Sequence, residues 1–368
     1  MSDRKPKAAR RGRRKLTTPR TPPARQSISL KELADRLGLS PATVSVVINR
    51  SSVAGTISPK TRNLILAAAR KFNYRPNFFA RSLRMQRSLT IGVLVPEVSE
   101  GYETMVLSGI EDALLQAGYF YFVASHHHRP DLIDEYPRLF LDRAVEGVIA
   151  IDTPWRLKLG LPVVTVSGHN KAPGVVNVVL DHDLAANLAL NHLVGLGHRN
   201  IAFIKGQTFS SDTEVRWKAI LNAASQFGLC VSPTLTVQLE GTEASPQLGY
   251  NVTTTLIKSR RPFTAIFAFN DISAIGAIRA LRESGLRVPA NVSVVGFDDI
   301  QCAAYQNPGL TTVRQPLRKM GTIAAETVLR RIHAGSAPPT TRQIVVAPEL
   351  IVRETTCSPS SAQSCEPV

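Results

Sequence analysis

Apolar residues recur along this chain with two different periods, and the change between them falls near Leu89. Before it the spacing is helical. Leu30, Leu33, Ala34 and Leu37 form one face, and Ser29 with Glu32 three residues on makes a capping box, the hydroxyl accepting from the Glu32 amide while the carboxylate reaches back. A first helix to about Leu37 is predicted. Gly38 supplies a turn, Ser40 a cap, and Pro41 fits the first position of a second helix, where a missing N–H costs nothing. That helix runs to about Asn49. Two short helices joined by a short glycine-containing turn make a helix-turn-helix, here between Ile28 and Asn49. Ser58-Pro59 repeats the start signal for a third helix through Ile65, Ala68, Ala69 and Phe72, which ends before Pro76. Asn77 to Arg84 is too short to be a stable helix in isolation. It reads as a linker that becomes helical on contact.

From Leu89 onward short apolar runs alternate with amphipathic stretches. The strand candidates are Thr90 to Val95, Tyr119 to Ala124, Gly147 to Ile151, Val163 to Val166, Val175 to Leu180, Ile201 to Ile204, Thr264 to Phe269 and Val292 to Phe297. Helical stretches between them include Tyr102 to Ala117, Asp183 to Leu196, Glu214 to Phe227, Ala274 to Ser284 and Pro316 to Ala334. Alternation of this kind implies parallel sheets covered by helices on both faces. The stretch is too long for one small sheet, so the expected fold class is an all-α N-terminal helix-turn-helix unit followed by an α/β body of two doubly wound parallel-sheet lobes.

Charge sharpens this division. Of 44 Lys and Arg residues, 21 fall between Met1 and Arg87 against three acidic residues, a net +18 that leaves −2 for the rest of a chain carrying +16. A basic block joined to a near-neutral body points to one module for a polyanion and another for something else. Residues 1–26, with ten Lys/Arg, read as a disordered basic arm. The expected order is then arm, helix-turn-helix domain over 27–75, hinge over 76–87, two-lobed body over 88–354, and a flexible tail over 355–368. Cys230, Cys302, Cys357 and Cys365 show no CxxC pair, which suits a reducing cytoplasm. No signal-type or membrane-spanning apolar run occurs.

The run Ser40-Pro41-Ala42-Thr43-Val44-Ser45-Val46-Val47-Ile48-Asn49, followed by Tyr74-Arg75-Pro76-Asn77 and Ala80-Arg81-Ser82-Leu83-Arg84, resembles the LacI/GalR repressor family. So do Leu196-Gly197-His198-Arg199-Asn200-Ile201-Ala202 and Val294-Val295-Gly296-Phe297-Asp298-Asp299-Ile300 in the body. The resemblance implies that the second helix enters the major groove, capped by Ser40. Pro41 and Ala42 then take base-reading positions, and Thr43, Ser45 and Asn49 position phosphates. Val46 stands where many relatives have Arg and is assigned apolar contact with a thymine methyl. Tyr74, Asn77, Ala80, Arg81 and Arg84 are carried over as further DNA-facing positions, with Leu83 as a minor-groove wedge of the hinge.

For the body, the resemblance implies a periplasmic-binding-protein-like core closing over a small effector. Arg216, Asn270 and Asp298 carry over as its polar contacts, Tyr102 as a wall, and Ser167 stands where sugar-binding relatives often keep Asp. Glu103 follows Tyr102 where an aromatic is common, so the sugar signature is incomplete. A sugar or related metabolite remains the expected effector. His126-His127-His128 reads as a solvated loop, because adjacent residues cannot all face one ion, and no metal or cofactor is assigned. The whole reads as a dimeric repressor of a palindromic operator, not an enzyme. A solute-binding protein would not need residues 28–84, and an enzyme on a dinucleotide-binding fold would need the glycine-rich turn that is missing after the first strand.

Overall fold

The computed structural model describes residues 28–49, 52–76, 82–83, 85–99, 101–169, 172–335, 339 and 342–359. The chain divides into two compact units between Gln86 and Arg87.

In the first unit, α1 (Leu30–Leu37), α2 (Pro41–Ile48) and α3 (Pro59–Lys71) close around Leu33, Ala34, Val44, Val47, Ile65, Ala68 and Ala69. Local chemistry fixes each boundary. Ser29 and Glu32 make both halves of the capping box, at 3.1 and 2.6 Å. Gly38 turns at φ +64°, a conformation costly for a residue with a Cβ. Ser40 and Ser58 accept from the Thr43 and Thr61 amides, each just before the proline that opens its helix. Asn49 caps the end of α2. Ser82 and Leu83 are helical. Asn77, Ala80, Arg81 and Arg84 of the expected hinge lie outside the described residues, as does the basic arm.

The second unit carries two six-stranded sheets. One orders β11 (Gln343–Val346), β5 (Val175–Leu180), β4 (Val163–Val166), β3 (Gly147–Ile151), β1 (Thr90–Val95) and β2 (Phe120–Ser125), all parallel. The other orders β12 (Glu349–Ile351), β10 (Thr311–Arg314), β9 (Ser293–Asp298), β8 (Ala265–Phe267), β6 (Ile201–Lys205) and β7 (Thr236–Gln238), parallel except at β10–β12. Fully buried strands such as β1, β3, β4 and β5 are mostly apolar along their length, as sheets covered on both faces require, and the polar pair in β4 and β5, Thr165 and Asn177, is joined by a hydrogen bond. Strands β7, β10, β11 and β12 are short and mix polar with apolar residues, which is why the sequence does not mark them as strands.

Eight helices among the described residues cover these sheets: α4 (Tyr102–Gln116), α5 (Pro130–Asp142), α6 (His182–Gly195), α7 (Ser211–Gln226), α8 (Pro246–Lys258), α9 (Asp271–Glu283), α10 (Gln301–Tyr305) and α11 (Leu317–Ala334). The chain crosses between lobes three times, through α6, through α11 into β11, and finally into β12. Each lobe is braced by a helix pair in glycine contact. A Cβ on Gly109 of α4 would overlap the Arg318 carbonyl of α11, and one on Gly249 of α8 would overlap that of Ser273 in α9. Strand β2 is an edge whose Phe120, Phe122 and Val123 remain exposed.

Two expectations are corrected. Thr355 to Cys357 do not begin a flexible tail: Thr355 is fully buried, its hydroxyl donates to the Val294 carbonyl, and the Cys357 amide donates to Ser293 Oγ. Residues 360–368 lie outside the described residues. Nor is His126 in a solvated loop, being 1% exposed and bonded through Nε2 to Thr153 Oγ1 at 2.9 Å. Burial pushes that imidazole down to about 4, with His128 and His127 adding to the effect.

Candidate functional site

The surface of α2 is small and mostly apolar. Val44 and Val47 turn into the core, leaving Pro41 and Ala42 exposed and Thr43 and Val46 partly so. Thr43 Oγ1 lies 2.8 Å from Ser40 Oγ. Ser45 is only 8% exposed, and Asn49 Nδ2 donates to both its carbonyl and its hydroxyl, at 2.8 and 3.1 Å. These two residues, read as phosphate contacts, are therefore tied to each other at the helix end. Tyr74 packs against the helical core, and Leu83 stands 82% exposed.

In the body, polar residues converge where the strands of both lobes end. Glu97 follows β1, His128 follows β2, Asp152 follows β3, and Ser167 and His169 follow β4; facing them, Gln207 follows β6, Phe269 and Asn270 follow β8, and Asp298 ends β9. Carboxyl ends of parallel strands are where such folds bind ligands, because backbone groups and loops open there. Asp152, Ser167, His169 and Asp298 all have positive φ, from +36° to +111°. At +111° Asp298 lies beyond even the left-handed helical well, so the surrounding structure must hold it there. A cavity of about 90 Å³ lies between the lobes, bordered by Tyr102, Arg216, Asn270 and Asp298. Ordinary metabolite pockets measure ~300–1,000 Å³, so an occupant of that size requires the lobes to part.

Contacts across the cleft are direct. Asp152 accepts from the Ser211 amide and hydroxyl at 3.1 and 2.8 Å, placing a carboxylate of one lobe at the N-terminus of α7 in the other. His169 Nε2 meets Asp212 Oδ1 at 2.5 Å, and the His128 and Phe209 rings stack at 3.8 Å. Arg216 is sandwiched by Phe297 and Phe269, 3.7 and 4.4 Å from their ring centres, and donates to Asp212 Oδ2 at 3.1 Å and to the Phe269 carbonyl. Much of its donor fork, expected to meet an effector, is engaged within the protein. Tyr102 Oη donates to Ser167 Oγ at 2.7 Å, and Asn270 caps α9 by accepting from the Ser273 amide. Of the five expected effector residues, Tyr102, Arg216, Asn270 and Asp298 line the cavity directly, while Ser167 reaches it through Tyr102.

Burial dominates the electrostatics. It raises Glu103 to about 8, with Asp152 and Asp298 adding repulsion. Asp152 and Asp298 are each raised to about 7 by burial, Asp152 further by Asp212, while Arg216 and the Gln315 amide partly offset the effect on Asp298. Burial opposes ionisation at Asp212 as well, yet His182, His169 and Arg216 together hold its carboxyl well below the usual range. The cleft thus presents one strongly anionic group among three carboxyls poised near neutrality.

Comparison with known proteins decides the family. A sequence family described as "Bacterial regulatory proteins, lacI family" matches residues 29–77, and one described as "Periplasmic binding protein-like domain" matches residues 190–356. The HTH-type transcriptional repressor PurR of Haemophilus influenzae strain Rd is 30% identical over 338 residues, 89% of this chain and 98% of that protein. The chain belongs to the LacI family. The PurR repressor of Aliivibrio fischeri strain MJ11 is likewise 30% identical over 312 residues, 83% of this chain and 91% of that protein. Among solved structures, a lac repressor dimer bound to operator and the anti-inducer ONPF superposes with TM-score 0.79 at 26% identity, covering 90% of this chain and all of that one. A complex of the transcriptional regulator CelR with cellobiose gives 0.66 at 26% identity, covering 89% and 99%. The curated relatives are repressors and not enzymes, and no helix among the described residues is long and apolar enough to cross a membrane.

For this LacI-family chain the residues missed in sequence are Asp152, His169, His182, Asp212 and Phe209. Their signal was faint but present: Asp152 is the first polar residue after the apolar run of β3, and Asp298 holds the matching place at the end of β9. His182 and Asp212 sit in the first turns of α6 and α7, where no side-chain pattern distinguishes a cleft residue from a capping one.

Proposed function

We infer that the chain is a cytoplasmic, sequence-specific DNA-binding repressor that acts as a homodimer on a palindromic operator and responds to a small-molecule effector, a sugar or related metabolite. The observation that carries this reading is the pairing, in one chain, of a helix-turn-helix unit with a two-lobed cleft whose buried polar groups come from both lobes. Relatives that span nearly the whole chain share this organisation. In this reading residues 1–26 form a basic arm, 27–75 the DNA-reading domain, 76–87 the hinge, and the body from 88 onward senses the effector.

Pro41, Ala42 and Val46 face base edges, apolar contact replacing hydrogen bonds at Val46, and Thr43 positions a phosphate. Leu83, too exposed to be core, is the wedge of a hinge that orders when two copies meet in the minor groove. A palindrome demands two chains, and the exposed apolar edge of β2 supports their pairing. Tyr102, Arg216, Asn270 and Asp298 contact the effector. Its occupancy biases lobe closure, and through it hinge pairing, by no more than its difference in affinity for the two states.

The test is sequence selection followed by binding measured across salt. A preferred palindrome bound with a steep salt slope is expected, and Leu83→Ala should weaken that binding while sparing random DNA. No preferred sequence, or equal losses on random DNA, refutes the reading. A metabolite screen by thermal shift on residues 87–368, the second compact unit, then names the effector class.

A further inference from the structure

At the base of the cleft three side chains of ligand type converge from places far apart in sequence. His169 follows β4 in the first lobe, His182 opens the crossover helix α6, and Asp212 lies in the first turn of α7 in the second lobe. One ligand atom from each lies within 4.8 Å of the other two. His182 Nε2 is 3.4 Å and His169 Nε2 2.5 Å from the same Asp212 oxygen, Oδ1, and the three side chains are 4%, 12% and 6% exposed. The anomaly is His182. Its Nδ1 has no hydrogen-bond partner and its Nε2 has only the long 3.4 Å approach to Asp212 Oδ1, outside good hydrogen-bond geometry, although buried polar groups in folded proteins are overwhelmingly satisfied. A hydrogen-bonded His169–Asp212 pair accounts for two members of the cluster and leaves the third with that long contact alone.

The free oxygen of Asp212 favours a cation. The Arg216 guanidinium occupies Asp212 Oδ2, leaving Oδ1 directed at the two imidazoles, and further oxygen donors of Glu103, Asp152 and Asp298 line the same cavity. The donor set is two imidazole nitrogens and one carboxylate oxygen, which suits zinc and its neighbours in the transition series better than magnesium or calcium. Zinc bonds of about 2.0–2.2 Å place tetrahedral ligand atoms about 3.4 Å apart. The His182–Asp212 separation already has that value, and the His169–Asp212 contact, at 2.5 Å, would have to lengthen by about 0.9 Å to reach it.

We propose that His169, His182 and Asp212 form a binding site for a divalent transition-metal ion of the zinc class, clamping the two lobes together at the base of the effector cleft. Three protein ligands leave a fourth position for water or for a donor atom of a bound molecule. Because the ligands come from both lobes, the ion binds the closed cleft more tightly than the open one and shifts the population towards closure. The coupling to an effector rests on the reading of the cleft as an effector site, and it is reciprocal: each ligand strengthens or weakens the other by the same factor.

The test uses the full-length protein stripped with a chelator and then titrated with Zn²⁺ by calorimetry and with Co²⁺ by visible absorption. One equivalent per chain is expected, with the absorption of a low-coordinate cobalt centre and a rise in Tm that the chelator reverses. His182→Ala should weaken binding roughly tenfold or more, since even residues that only support a metal ligand have effects of that size. Should that variant misfold, His169→Gln is decisive, because it keeps a side chain able to hydrogen-bond Asp212 while lowering ligand strength, and its loss of the cobalt signal is expected. The exposed His127→Ala should bind as the parent does. Absence of stoichiometric binding, binding unchanged in both cleft variants, or binding lost in His127→Ala overturns the proposal. The metabolite screen is run in chelator: a surviving metabolite shift with no metal site removes only the metal, whereas loss of both removes the cleft reading as well.

Discussion

The DNA-reading unit and the cleft are built on opposite principles. In the first, the residues that fold the unit and those that face outward alternate on one short helix, so Val44 and Val47 supply the core while Pro41, Ala42 and Val46 are left for a partner. In the second, residues proposed to meet the effector are also engaged within the protein. Arg216 is buried between two phenyl rings and paired with Asp212, Asp152 secures a helix N-terminus, and Asn270 caps α9. A surface that reads a large polyanion can be separable from its scaffold. A cleft that excludes water cannot, because each polar group it buries must be satisfied by the protein whenever no ligand is there to do so.

The largest expected effect tests that claim. Arg216→Ala leaves the Asp212 carboxylate buried without its guanidinium and should cost about 3–5 kcal/mol of stability, measured by chemical unfolding of residues 87–368. A variant as stable as the parent would show that binding and folding are separable in the cleft too, and the contrast would collapse.

Next in size is the response to pH. Glu103, Asp152 and Asp298 hold their protons more tightly in the folded chain, near 8, 7 and 7, than in the unfolded one. The stability they confer is complete below the ordinary carboxylate range and is lost as pH rises through about 7 to 8. The histidines act in the other direction: buried His126, His182 and His198 and half-buried His128 and His192 are all depressed by desolvation, so their contribution grows as pH rises and is complete above the ordinary histidine value. Between pH 6.5 and 8.5 the carboxyls should therefore dominate and the stability of residues 87–368 should fall, by on the order of 1 kcal/mol per pH unit for each group still protonated in the folded chain, with Tm falling accordingly. Glu103→Gln should flatten the decline. A Tm rising over that interval contradicts the assignment, and the helix-turn-helix unit, whose described residues include no buried carboxyl, should show no comparable fall.

The contrast also explains what could be read in sequence. In the first unit every boundary depends on residues within four positions: Ser29 on Glu32, Ser40 on Thr43, Gly38 on the turn it makes. Such signals survive in a linear chain. The sheets were legible for a similar reason, since β1, β3, β4 and β5 are mostly apolar runs, whereas β7, β10, β11 and β12 depend on neighbours supplied by distant segments. At the cleft, Arg216, Asn270 and Asp298 came through family resemblance alone. His169, His182 and Asp212 come together only when two sheets and a crossover helix are in place, and nothing in their spacing of 13 and 30 residues announces it. The segment Thr355 to Cys357, which packs through the buried Thr355, was hidden likewise, its partners Ser293 and Val294 lying some 60 positions earlier.

The smallest effects belong to α2, and they decide whether its outward face is as free of structural duty as the geometry implies. Ser40→Ala removes the cap accepted from Thr43 and should cost about 1 kcal/mol in thermal unfolding of the full-length protein's first transition. Two positions on, Ala42 is exposed and makes no side-chain hydrogen bond, so Ala42→Ser should change stability by no more than about 0.5 kcal/mol. Its consequence should appear only on DNA, as a changed preference at one operator base pair in a selection experiment, with the salt slope unaltered because no phosphate contact is gained or lost. If Ala42→Ser alters Tm as much as Ser40→Ala does, the face is structural and the separation between scaffold and reading surface fails in the very helix that suggested it. If stability holds while the selected sequence shifts, then Val46, one turn further on and equally outside the core, becomes the next position at which to rewrite the preference.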